Sequence, residues 1–276
     1  MEDFADKKEM TVLIKYPPQT KERNKVFLEK QELINFDGPK WGGWWDTDGS
    51  FSDYVNERKK PYMHKVAKLA LKDRQPVELF SKTFETSLTY SEWKTTTPEP
   101  YKYEYIAKEY IGLLCAEKAV WFTKKVYPYL IKQEKKDYAA KLLGYRPESK
   151  DFADWTPDEV THYLATALEG DGGFKVERGK KLTSITATIC SSDVQYLSDI
   201  KYLAEKKLGI IFNLIEINTY KTQEGIKTKY ALYISGTSKK PENIDFFKSL
   251  VKDNVMTLDR KKQRVQEFLG QAWVAK

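Results

Sequence analysis

Cysteine and histidine are scarce in this chain of 276 residues, with two of each. Cys115 and Cys190 form no CxxC pair, which excludes a disulfide framework and a zinc ribbon and makes a reducing, intracellular compartment the simple expectation. His64 and His162 are too few for a histidine-rich metal centre, and both read as structural, His162 inside a helix and His64 near a strand. No run of about 18 apolar residues occurs, so neither a transmembrane helix nor a membrane partner is expected. The opening MEDFADKKEM is mixed in charge and unlike a signal or transit peptide.

Aromatic residues and positive charge are what the chain has in quantity. Hydrophobic residues make up 41% and aromatics 14%, enough to bury a core, so disorder is excluded as the general state. The 47 basic residues against 40 acidic give a net charge of +7. That excess favours a polyanionic partner, nucleic acid above membrane.

Two segments stand out, WGGWWDTDGSF (41–51) and YLATALEGDGGF (163–174). Each runs from a hydrophobic stretch into an acid-x-Asp-Gly ending. Asp46 and Glu169, Asp48 and Asp171, and Phe51 and Phe174 all stand 123 residues apart. The residues C-terminal to the two segments are also similar in type. Alternating runs with Ala67, Leu69 and Leu71, and with Ile185, Ala187 and Ile189, have the period of a half-buried strand. Helical patterns then occupy 76–84 and 193–209. Further strands are expected at 101–108, 210–220 and 227–235, the last two as a hairpin around KTQEG. Each half closes on a lysine-bearing helical stretch, 128–143 and 256–269. The chain therefore reads as two repeats, 37–143 and 156–276, joined by a linker at 144–155, with 1–36 as an N-terminal extension of unassigned role.

The second motif helix has a strong start signal. Thr156 as N-cap, Pro157 at the first helical position and Glu159 make a capping box, with Trp155 and Val160 placed as a staple. Asp37 and Pro39 serve the first copy. Both acidic pairs then fall at helix C-termini, where the macrodipole disfavours negative charge and a cation would offset the cost. Small residues four apart, Gly43 with Thr47 and Thr166 with Gly170, let the two helices approach closely and bring Asp48 and Asp171 together. Divalent metal would relieve their repulsion and equip a phosphodiester-cleaving centre. On the flanking strands, Ser52, Tyr54, Asn56, Arg58 and Lys68 in one half and Lys175, Glu177, Ser184, Thr186 and Thr188 in the other are the candidate DNA-contacting face. An EF-hand reading from Asp46 fails because the obligatory sixth-position glycine is Phe51, and Phe174 in the second copy.

WGGWWDTDG and LATALEGDG resemble the nine-residue signature of the LAGLIDADG homing endonucleases, in the single-chain, two-repeat form, over roughly residues 37–269. The resemblance implies an α+β fold of two pseudo-symmetric αββαββα repeats, motif helices packed at the pseudo-twofold axis and antiparallel strands forming a DNA-binding saddle. It implies a monomer that cuts both strands of a long asymmetric DNA site in a metal-dependent reaction, leaving 3′ overhangs. The implied cofactor is Mg²⁺, with Mn²⁺ or Ca²⁺ as alternatives at the same site. Asp48 and Asp171 would be its ligands, with the backbone carbonyls of Thr47 and Gly170. The family's lysine near each scissile phosphate, opening a K-x-x-x-A/V stretch, falls on Lys135 and Lys261, with Lys132 a rival for the first. The chain departs from the pattern at Trp41, Trp44 and Trp45, bulkier than the usual aliphatics, at Thr166 for the common glycine, and at Glu169 for Asp. The same scaffold also serves as an RNA maturase, with intron RNA as partner, or as a non-cleaving DNA-binding regulator. Those stand as the alternatives.

Overall fold

The computed structural model describes residues 9–15, 21–30, 32, 34–56, 62–96, 103–178, 183–222, 225–237 and 241–272. The extension contributes β1 (Glu9–Ile14) and α1 (Lys21–Glu29). The first repeat then runs α2 (Gly38–Thr47), β2 (Gly49–Asn56), β3 (Tyr62–Leu71), α3 (Arg74–Thr83), β4 (Leu88–Thr96), β5 (Glu104–Cys115), α4 (Ala116–Val126) and α5 (Gln133–Leu143). The second gives the same order: α6 (Pro157–Gly170), β6 (Gly172–Arg178), β7 (Thr183–Ser191), α7 (Val194–Leu208), β8 (Asn213–Thr222), β9 (Gly225–Gly236), α8 (Pro241–Val251) and α9 (Asp259–Ala272). Each repeat thus has one helix more than αββαββα. The closing stretches read as helical from 128 and 256 start their helices only at Gln133 and Asp259. Ahead of each lies a 3₁₀ turn, Tyr127–Tyr129 or Lys252–Asn254.

The sheets repeat each other as well. One is antiparallel in the order β1-β4-β5-β3-β2, the other β6-β7-β9-β8, so the two coincide once β1 is set aside. β1 pairs with β4 from Glu9 opposite Glu92 to Ile14 opposite Leu88. By contacts the chain divides into two compact units, Met1–Asn35 with Gly49–Phe122, and Phe36–Asp48 with Thr123–Lys276. In the first, Phe80, Phe84, Phe122 and Trp121 pack edge to face beneath the sheet side that carries Phe51, Ala67 and Leu69. In the second, Ile185, Ala187 and Ile189 of β7 share a core with α6, α7, α8 and α9. Among the described residues no helix is long and apolar enough to cross a membrane.

Motif helix α2 belongs to the second unit, packed on α6. Its start is capped as the sequence indicates, Asp37 accepting from the Lys40 amide. The capping box of α6 is complete: the Thr156 hydroxyl accepts from the Glu159 amide and the Glu159 carboxylate accepts from the Thr156 amide. Trp44 and Trp45 are fully buried, yet their bulk does not hold α2 and α6 apart. The backbones meet at Gly43, where a Cβ would come 2.6 Å from the Tyr163 carbonyl oxygen and 3.2 Å from the Ala167 nitrogen. At the other end a Cβ on Gly170 would come 2.5 Å from Asp48 Oδ2.

Backbone contact at Gly43 leaves no room for a methyl group. Gly43→Ala is expected to destabilise the protein by about 1–3 kcal/mol in urea unfolding. Gly270→Ala, where nothing lies within 4 Å, is expected to be neutral or to stabilise α9 by up to about 1 kcal/mol. Equal effects at the two positions would contradict the close crossing.

Candidate functional site

The crossing of α2 and α6 sets four carboxylates at two helix ends. Asp48 is the C-cap of α2 and Asp171 the C-cap of α6. Two residues before each cap sits a second acid whose role is structural. Asp46 is fully buried and accepts the backbone N–H of Ile131 (2.6 Å) and of Lys132 (3.2 Å), and the Tyr163 hydroxyl (2.5 Å). Glu169 repeats the first two of these, one oxygen accepting from Thr257 (2.6 Å) and Leu258 (2.5 Å). These amides belong to the segments leading into α5 and α9, which explains the late start of both helices. Each segment is pinned against the end of a motif helix.

The matched anchors also align the lysines. Ile131 and Lys132 correspond to Thr257 and Leu258, and the same register places Lys135 opposite Lys261. Lys135 comes near enough to both acids of α2 for their charge to act on it, while burial is the main influence and pushes its pKa down. Lys261 is only 6% exposed, and its ammonium donates to the carbonyls of Leu168 (3.0 Å), Gly172 (2.8 Å) and Glu169. Three carbonyls are as many as an ammonium has hydrogens to give, so Lys261 closes the C-terminus of α6 where it turns into β6. Lys132 is the lysine that reaches a carboxylate, its Nζ 3.3 Å from Asp171 Oδ2 and 4.5 Å from the Tyr196 ring centre.

Asp48, like Glu169, keeps one buried carboxylate oxygen without a hydrogen-bond partner among the described residues. Burial pushes its pKa to about 6, and the charge of Asp171 adds to the rise against Thr47, Lys261 and Lys135. On Asp48 that oxygen is Oδ2. The neighbouring Thr47 hydroxyl directs its proton to the carbonyls of Gly43 and Trp44, each at 3.1 Å. A buried, partnerless carboxylate oxygen beside a second carboxylate is the environment a hard cation fits. No group of three or more His, Cys, Asp or Glu side chains able to hold a metal occurs among the described residues. Such a cation would therefore rest on Asp48, Asp171 and oxygen ligands such as the Thr47 and Gly170 carbonyls, which close α2 and α6.

In the second sheet the candidate DNA-contacting residues fall on the side away from the core. There Lys175 pairs with Thr186 and Glu177 with Ser184, Thr188 lies opposite Gly173, and Phe174 and Ala187 take the other side. Lys175 and Glu177 are joined by an ion pair of 2.6 Å. In the first sheet Ser52 lies opposite Val66 and Lys68 opposite Ser50, with Phe51 and Ala67 facing the core. Tyr54 and Asn56 occupy register positions of the same parity as Ser52, opposite His64 and Tyr62. Arg58 lies outside the described residues. Tyr163 and Tyr196, whose hydroxyls are 3.5 Å apart in a chain from Asp46, escaped sequence reading because Asp46 lies 117 residues from Tyr163 along the chain.

At the opposite end of the helix pair, His162 Nδ1 and Asp37 Oδ2 are 2.6 Å apart. That hydrogen bond raises the His162 pKa, with burial opposing it. The pair's contribution to stability is complete below the ordinary histidine value near 6.5 and fades as pH rises through the elevated one. Asp46, Asp48 and Glu169, with pKa raised by burial to about 6, 6 and 7, also cost stability as they ionise over this range. The metal-free protein is therefore expected to weaken from pH 5 to pH 8.5, and the diagnostic is a difference. Wild type should lose more than His162→Gln in denaturant midpoint; parallel curves would mean that His162 contributes nothing.

No protein-family model matches the sequence, and no curated protein matches it. Solved structures do. The LAGLIDADG meganuclease I-AabMI, bound to uncleaved DNA, aligns over 87% of this chain and 91% of its own at 11% identity with a TM-score of 0.51. The LAGLIDADG homing endonuclease I-LtrWI, bound to target DNA, aligns over 88% and 93% at 14% identity with a TM-score of 0.47. I-GzeII, in complex with its DNA target, gives 86%, 89%, 14% and 0.46. The fold of this chain is that of the LAGLIDADG meganucleases.

Proposed function

We propose that this protein is a site-specific DNA endonuclease that makes a metal-dependent double-strand break with 3′ overhangs at a long asymmetric site, acting as a monomer. The observation that carries the proposal is the buried Oδ2 of Asp48, without a hydrogen-bond partner among the described residues and set beside Asp171 where α2 and α6 cross. Two sheets with polar residues on the side away from the core supply candidate DNA-contacting faces, and the excess of basic residues suits a polyanion. A bound divalent ion, Mg²⁺ as the first choice, would supply positive charge at the scissile phosphate and acidify the attacking water. Asp48 and Asp171 hold that charge in place. Lys135 adds a positive field near Asp48, and Lys261 fixes the carbonyl-bearing end of α6. Tyr163 and the amides of Ile131 and Lys132 occupy the Asp46 oxygens, so the anchoring acid does not compete for the same role.

The test is a cleavage selection on a randomised duplex library with Mg²⁺, beside Asp48→Asn and Asp171→Asn. Cleavage by the wild type and its loss in both variants, with DNA binding retained, is expected. Because Asp48 must be ionised to hold a cation, cleavage should rise as pH passes through about 6. Full cleavage by either variant would overturn the metal assignment. Tight, selective DNA binding without cleavage in the wild type would make the protein a regulator, and preference for structured RNA over the duplex would make it a maturase.

A further inference from the structure

A hollow of about 380 Å³ opens beside the end of α6, lined by Gly170, Gly172, Gly173, Arg260, Lys261 and Arg264 among others. Its floor is largely backbone, and nothing lies within 4 Å of the position a Cβ on Gly173 would take. Lys261 directs its ammonium into the carbonyls of Leu168, Glu169 and Gly172, so the charge on the wall comes from the two arginines. Arg264 is exposed and has no ion pair or hydrogen bond among the described residues. Two guanidiniums over a glycine floor form a recess suited to a tetrahedral oxyanion.

The first repeat does not offer the same recess. The anchors that match Ile131–Lys132 with Thr257–Leu258 set Arg260, Lys261 and Arg264 opposite Glu134, Lys135 and Tyr138. The floor differs too, since the motif offset of 123 residues sets Gly170 and Gly173 opposite Thr47 and Ser50. One half has two arginines where the other has a carboxylate and a phenol.

We propose that this hollow seats a backbone phosphate of bound DNA between Arg260 and Arg264, and that it does so for one strand only. The inference rests on the nuclease reading but concerns binding, so the two can fail separately. The experiment uses the whole chain with Asp171→Asn, to prevent cutting, and the duplex recovered from the cleavage selection. Dissociation constants are measured across a salt series, with and without Arg264→Gln, alongside single methylphosphonate substitutions on each strand. Arg264→Gln is expected to weaken binding about tenfold on selected and random duplexes alike, and to lower the salt slope by about 0.9. Arg264→Lys should restore most of the slope. With the arginine present, one neutralised phosphate near the cut on one strand should weaken binding, without a counterpart on the other. Arg264 is exposed, so its removal leaves the fold intact, and the methylphosphonate arm needs no change at the arginine. An unchanged slope, or equal sensitivity on both strands, overturns the proposal. If the whole chain does not bind DNA, the nuclease reading falls first.

Discussion

Backbone contact between α2 and α6 is the constraint on which the rest of the structure depends. Gly43 against the Tyr163 carbonyl and Gly170 against Thr47 and Asp48 leave no space for a Cβ at either glycine. The two C-termini therefore end side by side, each with its carbonyl dipoles and a capping aspartate. A carboxylate at a helix C-terminus opposes the macrodipole by roughly 0.3–1 kcal/mol. Here the carboxylates also face each other, and the rise in the Asp48 pKa reports the combined burden of burial and repulsion. The protein offsets part of it with Lys261 on the last carbonyls of α6 and Lys132 on Asp171. The Oδ2 of Asp48 receives no such relief from described residues.

The anchoring acids turn that crossing into a framework. Asp46 and Glu169 each fix two consecutive amides of a segment that would otherwise run on from a 3₁₀ turn, and thereby set where α5 and α9 begin. Hydrogen bonds to a buried carboxylate contribute roughly 1.5–3 kcal/mol each, and a lost partner would leave the acid buried and unsatisfied. The lysines at the next turn owe their positions to these contacts. In a motif written acid-x-Asp, the first acid organises the protein and the second caps the helix end.

Much of this was legible in the sequence because it is written in local spacing. The capping box at Thr156, the small-residue stripe at Gly43, Thr47, Thr166 and Gly170, and the offset shared by both acids needed only helix geometry to interpret. The two-residue alternation around Ala67 and Ile185 gave the buried side of each sheet correctly. Illegible were contacts set by the fold over long separations. Tyr163 reaches Asp46 across 117 residues, and Lys118 closes on the Phe84 carbonyl across 34. The closing helices were read as starting too early because the stretches keep helical character through Lys132 and Leu258, while the hydrogen bonds that hold those residues out of the helix come from carboxylates far away in the chain. Lys261 shows the same limit in another form. Its spacing matched the family's lysine, but spacing carries no information on where the ammonium hydrogens go.

Duplication has preserved the backbone framework and let the side chains around it diverge. The anchor that gives Lys132 to Asp171 in one half presents Leu258 at the matching position in the other, and a leucine cannot donate to Asp48. The partner of the anchor differs as well. Tyr163 hydrogen-bonds Asp46, whereas the position that corresponds to it on α2 is Lys40, whose charge acts on Glu169. The second exchange links the two helices directly, Tyr163 of α6 to Asp46 of α2 and Lys40 of α2 to Glu169 of α6. Two aspartates related by near-symmetry therefore sit in unequal fields, Asp171 beside an ammonium and Asp48 with a bare oxygen. In a homodimer every such difference would be copied onto both halves. A single chain can hold its two aspartates in different fields while keeping one backbone geometry.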